Sequence, residues 1–342
     1  MKRHLTTLIL SALCFGGCTS EPPSERIVGE TMGTTYDVTV TRTPDGIRRS
    51  DLESTIDSVL ADVNRHLSTY DPSSEISRFN ANRGIDWIPV SATLLDAVMQ
   101  SARVSLATDG AFDITVGPIV KAWGFGSAAN DAADPPGSEQ IERLRLAAGH
   151  AKLLARVDPP ALRKAVSALQ IDVDGIAPGI AVDRIAERFE ALGIRDYLVE
   201  LGGEVRARGV SPAGRTWRVA VEVPAAGERR PYALLELDGF AVSTSGDYRD
   251  FRETGGRRVS HTIDPRTAAP VTHRLTSVTV VHTSTAMADA FSTALMVLGP
   301  DAGMDLAGRL GLAALFIERP PGEGPLIESQ TPGFATFRRP LP

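Results

Sequence analysis

Asp289 and Thr293 stand four residues apart in the otherwise apolar, Ala-rich stretch TAMADAFSTALMVLG, residues 285–299. At helical spacing they share one face. A carboxylate and a hydroxyl converging there suit a hard cation such as Mg²⁺, which takes oxygen ligands and keeps places for phosphate oxygens. A buried Asp–Thr hydrogen bond accounts for the pair equally well. Earlier, in DVDGIAPGIAVDRIAERF (172–189), a strand runs through Asp174-Gly175 into a helix near Ile180. Glycines ahead of a helix N-terminus leave N–H groups for an anion such as a diphosphate, although such turns are common.

Two further stretches are unusual for a scaffold. GAFDITVGPIVKAWGFG (110–126) sets glycines beside aromatics, which permits close approach to a planar ligand or simply serves turns. In LSTYDPSSEISRFN (67–80), the Asp71-Pro72 turn leads into Ser73, Ser74 and Glu75, the pattern of a helix N-cap. Of the six histidines, only His261 lies in a dense polar cluster, three residues before Asp264. The chain has no Gly-x-x-x-x-Gly-Lys-Ser/Thr loop, no Gly-x-Gly-x-x-Gly between strand and helix, no HExxH and no Gly-x-Ser-x-Gly elbow.

The elements that must position these groups follow from periodicity. Thr34–Thr41 alternates as a half-buried strand does, and Asp51–Leu67 and Ala92–Leu106 carry apolar residues at helical spacing. A loop over 127–138 precedes a helix at Glu139–Ala148. A helix at about 180–192 runs into a strand at Asp196–Leu201. Strands are then expected at 204–209, 216–222, 231–237, 240–243, 259–263 and 277–281. Helices at 284–298 and 301–310 and a strand at 312–317 complete the pattern. Helices and strands mix without regular βαβ alternation, so the fold class is α+β, in a single unit.

Composition sets the outer limits. The 342 residues are 42% hydrophobic and 23% charged, with a formal charge of −6, which excludes a disordered chain, a polytopic membrane protein and a global field for nucleic acid. The only cysteines are Cys14 and Cys18, so the body has neither a disulfide framework nor a thiolate metal site. Lys2 and Arg3 followed by the short apolar run Leu5–Phe15 read as a signal peptide, too short to span a bilayer. Gly16-Gly17 before Cys18 resembles a bacterial lipobox, with cleavage after residue 17, lipidation of Cys18 and a polar, Pro-rich tether over 18–29. Loss of Lys2 and Arg3 takes the charge from −6 to −8.

Taken in order, eight stretches closely resemble the ApbE family of FAD:protein FMN transferases, once described as thiamine-biosynthesis lipoproteins. They are TMGTTY (31–36), STYDPSSEISRFN (68–80), GAFDITVGPIVKAWGFG (110–126), DVDGIAPGIAVDRIAE (172–187), ELGGEVRARG (200–209), AVSTSGDY (241–248), SHTIDPRTAAPV (260–271) and TAMADAFSTALMVLG (285–299). The resemblance implies a T-fold-like catalytic unit over 30–342 that moves the FMN half of FAD onto a threonine hydroxyl of a target flavoprotein, releasing AMP. It implies flavin-nucleotide contacts at Met32, Tyr70, Ala111, Phe112, Asp113, Asp174, Ile180 and Ile263. It places Mg²⁺ on the carbonyl of Ala177 with the side chains of Asp289 and Thr293. His261 is the candidate general base, since an imidazole suits proton transfer near neutrality. The lipobox implies a lipid-anchored enzyme, expected on the periplasmic side of the inner membrane, with Thr19 after Cys18 leaving inner and outer membrane both open.

The chain departs from the family pattern at Pro178 (often Lys), Ile180 (usually Tyr), Ala268 (usually Gly) and Ser292 (a carboxylate in some relatives). Two alternatives stand beside the transferase. One is a Mg²⁺-dependent FAD diphosphatase, with water in place of the threonine hydroxyl. The other is a flavin-binding lipoprotein without chemistry.

Overall fold

The computed structural model describes residues 24–126, 135–225, 230–247, 251–254 and 257–341, with side chains at 251–254, 257 and 258 excepted. The signal peptide, Cys18 and most of the expected 127–138 loop lie outside the described residues.

The chain enters as a hairpin of β1 (Glu25–Thr31) and β2 (Thr34–Arg42). Met32 and Gly33 turn it with φ of 52° and 74°, the left-handed pair that a tight two-residue hairpin requires. The tether expected to reach residue 29 is therefore shorter, because Glu25–Gly29 already pair with Val40–Tyr36. Only Ile27 of β1 is buried, so this edge strand carries no apolar alternation to read. Helix α1 (Arg49–Leu67) packs its stripe of Leu52, Ile56, Val59, Leu60, Val63 and Leu67 inward. Ser74 caps α2 (Glu75–Ala81) and Ser91 caps α3 (Ala92–Ala107), each accepting from the backbone three residues on. Between them β3 (Ile88–Pro89) begins a small sheet. Helices α4 (Gly117–Ala122) and α5 (Ser138–Ala147) follow, and β4 (Leu153–Arg156) and β5 (Ala161–Lys164) complete the small sheet in the order β3-β5-β4.

Helix α6 (Ala177–Ala191) starts three residues before the expected Ile180, with Pro178 in its first turn. There the missing N–H is one that no helix bond would have used. The strands β6 (Asp196–Leu201), β7 (Glu204–Arg208), β8 (Trp217–Glu222), β9 (Pro231–Leu237) and β10 (Phe240–Gly246) follow the expected order. Next come β11 (Phe251–Thr254), β12 (Arg257–Ser260), β13 (Ile263–Asp264), β14 (Ala269–Pro270) and β15 (Leu275–His282). The single strand expected over 259–263 is broken at His261-Thr262, where Thr262 N donates to Ser260 Oγ at 3.1 Å and diverts the backbone from the ladder. Helices α7 (Thr285–Leu298) and α8 (Pro300–Leu310), then β16 (Ala313–Glu318), β17 (Ile327–Gln330), α9 (Pro332–Ala335) and β18 (Arg338–Arg339), end the chain.

The framework is an eight-stranded sheet in the order β1-β2-β6-β7-β10-β15-β16-β17. All its pairings are antiparallel, in keeping with the α+β reading. Both faces are covered. Val278, Val280, Ala314 and Phe316 point to α7 and α8, whereas Val281, Leu315 and Ile317 point to the sheet β18-β9-β8. Alternate residues of one strand thus serve two cores, which is why β15 and β16 read as nearly continuous apolar runs. A third core joins β2 and β6 to α1, α3 and α6.

Candidate functional site

The cation end of the site depends on how α6 meets α7. A Cβ on Gly179 would lie 2.7 Å from Ala286 Cα and 2.8 Å from its N, so the two helices touch backbone to backbone. One turn later Asp183 reaches across and ties down the start of α7. It accepts from Ser284 Oγ (2.7 Å), Thr285 N (2.9 Å), Thr285 Oγ1 (2.8 Å) and Ala286 N (3.1 Å), and pairs with Arg206 at 2.8 Å. An acidic group at a helix N-terminus satisfies orphan donors and complements the dipole. With that start fixed, Asp289 and Thr293 are held against the loop that opens α6. Gly175 in this loop packs on Thr293 and Phe112; a Cβ there would stand 3.6 Å from Thr293 Oγ1 and 3.3 Å from the Phe112 ring.

Asp289 is 6% exposed and its Oδ2 has no hydrogen-bond partner. Burial, then the charges of Glu204 and Asp174, hold its carboxyl well above the usual range. Asp174 is raised to about 7, by burial first and by Asp172 next, against hydrogen bonds from Thr69 and Tyr70. Several acidic groups thus crowd one apolar recess, where a cation would relieve both the orphan oxygen and the repulsion. Among the described residues no three His, Cys, Asp or Glu side chains assemble into a metal cage. The donor set is instead one carboxylate with hydroxyl and carbonyl oxygens, a hard-cation set that fits Mg²⁺. Asp289 makes no hydrogen bond to Thr293 among those seen at either residue, which removes the reading of the pair as a simple buried hydrogen bond.

The other motifs converge on the same loop. Thr69 Oγ1 donates to Asp174 Oδ1 at 3.3 Å, and Asn80 clasps Ile171 by two 2.8 Å bonds. Asp172 N donates to Ile114 O at 2.6 Å, and a Cβ on Gly117 would meet Asp172 Cβ at 2.9 Å. The 110–126 and 260–271 stretches meet through Trp123 Nε1, which donates to Ala268 O at 2.9 Å, and through Phe125, edge-on to His261 at 6.4 Å. The β13 pair that follows His261 touches α7. Ala268 has φ of 56°, so the glycine usual there is a conformational preference, and this chain holds an alanine in the left-handed region.

The sequence candidates divide by environment. Asp174, Ala177, Asp289 and Thr293 cluster at the α6–α7 mouth with Phe112 behind them. Tyr70, 62% exposed, presents its ring to solvent beside Asp174. Ile180 is 2% exposed with its side chain in the core, so from that position only backbone can face a ligand. Ala111 and Ile263 are also buried, and Met32 packs at the hairpin turn. Asp113 spends its carboxylate internally, accepting from Thr115 N and Oγ1 (2.8 and 2.7 Å) and from His150 N (2.6 Å). Sequence reasoning passed over Asp183, Arg206 and Ser245. Asp183 had a signal, a charge inside the buried run Ile180–Ala186. Two open hollows of about 840 and 520 Å³, the first lined by Asp62, Thr93 and Arg184, the second by Gly29, Tyr36 and Glu200, lie away from this cluster.

Comparison with known proteins gives the family and the fold. The model of the ApbE family matches residues 32–316. The FAD:protein FMN transferase of Vibrio cholerae serotype O1 is 37% identical over 317 residues, covering 92% of this chain and 93% of the relative. The FAD:protein FMN transferase of Escherichia coli K12 is 36% identical over 341 residues, covering 96% of each. The apo crystal structure of the flavinyl transferase ApbE of Pseudomonas stutzeri superposes with a TM-score of 0.84 at 40% identity, over 92% of this chain and 96% of that one. The flavin transferase ApbE from Vibrio cholerae gives a TM-score of 0.84 at 35% identity, over 92% of this chain and 99% of that one.

Proposed function

This chain belongs to the ApbE family and is a flavin transferase, and from that premise we propose that it moves the FMN moiety of FAD onto a threonine hydroxyl of a target flavoprotein, with Mg²⁺ as cofactor. In this reaction a bond forms between the threonine oxygen and the FMN phosphorus. The diphosphate bond to the adenylate breaks, AMP leaves, and the hydroxyl proton passes to a base. The observation that carries the reading is the buried, partnerless Oδ2 of Asp289, set between Thr293 and the loop that opens α6.

Asp289, Thr293 and the carbonyl of Ala177 would hold Mg²⁺. When bound, it neutralises charge developing on the diphosphate as the P–O bond breaks. The chain's own groups do the rest. The N–H of Gly179, in the first turn of α6, donates to the Asp289 carboxylate and orients it, and Tyr70 offers an exposed ring for stacking on a planar ligand. His261 accepts the threonine proton, steadied by the edge of Phe125. The acidic recess explains why the diphosphate needs a cation: without one, Asp174 and Asp289 would oppose it.

Among the described residues no helix is long and apolar enough to cross a membrane. We assign membrane attachment to lipidated Cys18, on the periplasmic side of the inner membrane, tested by loss of membrane partition in Cys18→Ala. Incubation with FAD, Mg²⁺ and a threonine-bearing acceptor tests the chemistry. The acceptor gains the mass of an FMN ester with one AMP released per modification, and Thr→Val in the acceptor abolishes the gain. AMP without acceptor modification would establish a diphosphatase instead, and intact bound FAD a carrier.

A further inference from the structure

Three hydroxyls and one carbonyl beside the cation end form a chain whose direction is fixed by counting protons. A serine or threonine hydroxyl has one proton to give and two lone pairs to accept with. Ser292 Oγ lies 2.9 Å from the backbone oxygen of Asp289, which can only accept, so Ser292 spends its proton there. Ser245 Oγ lies 2.8 Å from Ser292 Oγ and must therefore be the donor in that pair. Ser245 then has no proton left for Thr293, whose Oγ1 is 3.2 Å away, so Thr293 donates to Ser245. The only proton of the Thr293 hydroxyl is turned toward β10, and its lone pairs are left for the Gly175 side of the recess, where the partnerless Oδ2 of Asp289 also waits.

We propose that Ser245 is a positioning residue that makes Thr293 an acceptor-only oxygen and thereby tunes the affinity of the site for a divalent cation. Its backbone is suited to that task. Ser245 pairs with Val278 in the middle of the main sheet, and its neighbour Thr244 is bonded hydroxyl to hydroxyl with Thr279 at 2.8 Å. A donor's partner fixed on a central strand holds the hydroxyl rotor more firmly than water would. Ser292, the residue that departs from the family's occasional carboxylate, becomes a relay: it takes the proton of Ser245 and leaves that serine free to accept from Thr293. Outer partners of this kind orient metal ligands, and their loss commonly weakens metal binding tenfold to a hundredfold.

The inference rests on the cation reading of Asp289 and Thr293, and one set of titrations separates the two. Mn²⁺ binding is followed by electron paramagnetic resonance on the whole protein without FAD, with thermal melting in the absence of metal as the folding control. Ser245→Ala should weaken Mn²⁺ binding about tenfold or more, and Thr293→Val at least as much. In the Thr293→Val background, Ser245→Ala should have no further effect, since it acts through that hydroxyl. Should Ser245→Ala fail to fold, Ser245→Cys, a poor acceptor of similar size, takes its place under the same expectations. Unchanged Mn²⁺ affinity in the folded variant, or two losses that simply add in the double variant, would overturn the role of Ser245 alone. An affinity that Asp289→Ala leaves untouched would overturn the cation site itself, and Ser245 with it.

Discussion

Where α6 crosses α7, backbone meets backbone at Gly179 and Asp183 gathers four donors and a guanidinium. Where residues 68–71 and 260–268 border the same recess, the contacts are single hydrogen bonds and a ring edge. The first region is over-determined, each carboxylate oxygen of Asp183 accepting from more than one donor. The second is tied within each loop, Asp71 accepting from Ser73 and Asp264 from Arg266, but crosses to its neighbours by few bonds and leaves Tyr70 open to water. A cation with strict geometry needs the first kind of construction, and a large two-part substrate that must enter and leave needs the second. Changes in the helix pair should therefore be felt as stability first, and changes in the loops as affinity.

Asp183→Ala is the largest test of that contrast. It leaves the half-buried Arg206 with only the longer 3.6 Å pairing to Glu190 and strips the cap from α7, at a cost of about 3 kcal/mol in chemical denaturation. An effect below about 1 kcal/mol would show that the α6–α7 junction does not depend on Asp183. Gly179→Ala comes next. Its Cβ would meet the backbone of Ala286 at 2.7 Å, and forcing the helices apart should cost about 1–3 kcal/mol and weaken cation binding with it. On the loop side, Tyr70→Ala should leave stability within about 0.5 kcal/mol. It should still weaken FAD binding several-fold, the equivalent of about 1 kcal/mol of stacking. The smallest effect is a gain: Ala268→Gly relieves a left-handed alanine and should raise stability by about 1 kcal/mol, read as a shift in the denaturation midpoint.

A pH test addresses the support of the loop side. Lys164 is buried, and its ammonium donates to Asn82 O at 2.7 Å and Asn80 O at 3.3 Å, gripping the C-terminal end of α2. Burial pushes it down from 10.5 to about 8. The unfolded chain therefore holds the proton over a range where the folded chain has lost it, and stability should rise between about pH 8 and 10.5. Lys164→Met should flatten that rise, as urea midpoints across the range would register.

The helix pair was legible because its signals are local. Asp289 and Thr293 share a face by spacing alone, and the apolar periodicity of α1, α3, α6 and α7 placed them within a few residues. The strands β6–β10 also stood out through alternation. Other features depend on partners distant in the chain. Ser245 acquires meaning only from Ser292 and Thr293, which a sheet and a helix bring to it. The edge strand β1 has a single buried residue, and β3–β5 form a sheet too small to impose a pattern. The break at His261-Thr262 is made by one side chain, Ser260, and so interrupts a stretch whose residue types all favour a strand.

The central claim is that the partnerless Oδ2 of Asp289 is a seat for a divalent cation, and thermal melting with and without Mg²⁺ tests it most directly. The wild-type protein should melt higher as Mg²⁺ is added, following the mass action of a ligand that binds only the folded state. Asp289→Asn, relieved of a buried charge, should melt at or above the metal-free wild type and show no response to Mg²⁺. An Asp289→Asn protein whose melting temperature climbs with Mg²⁺ as the wild type's does would contradict the account.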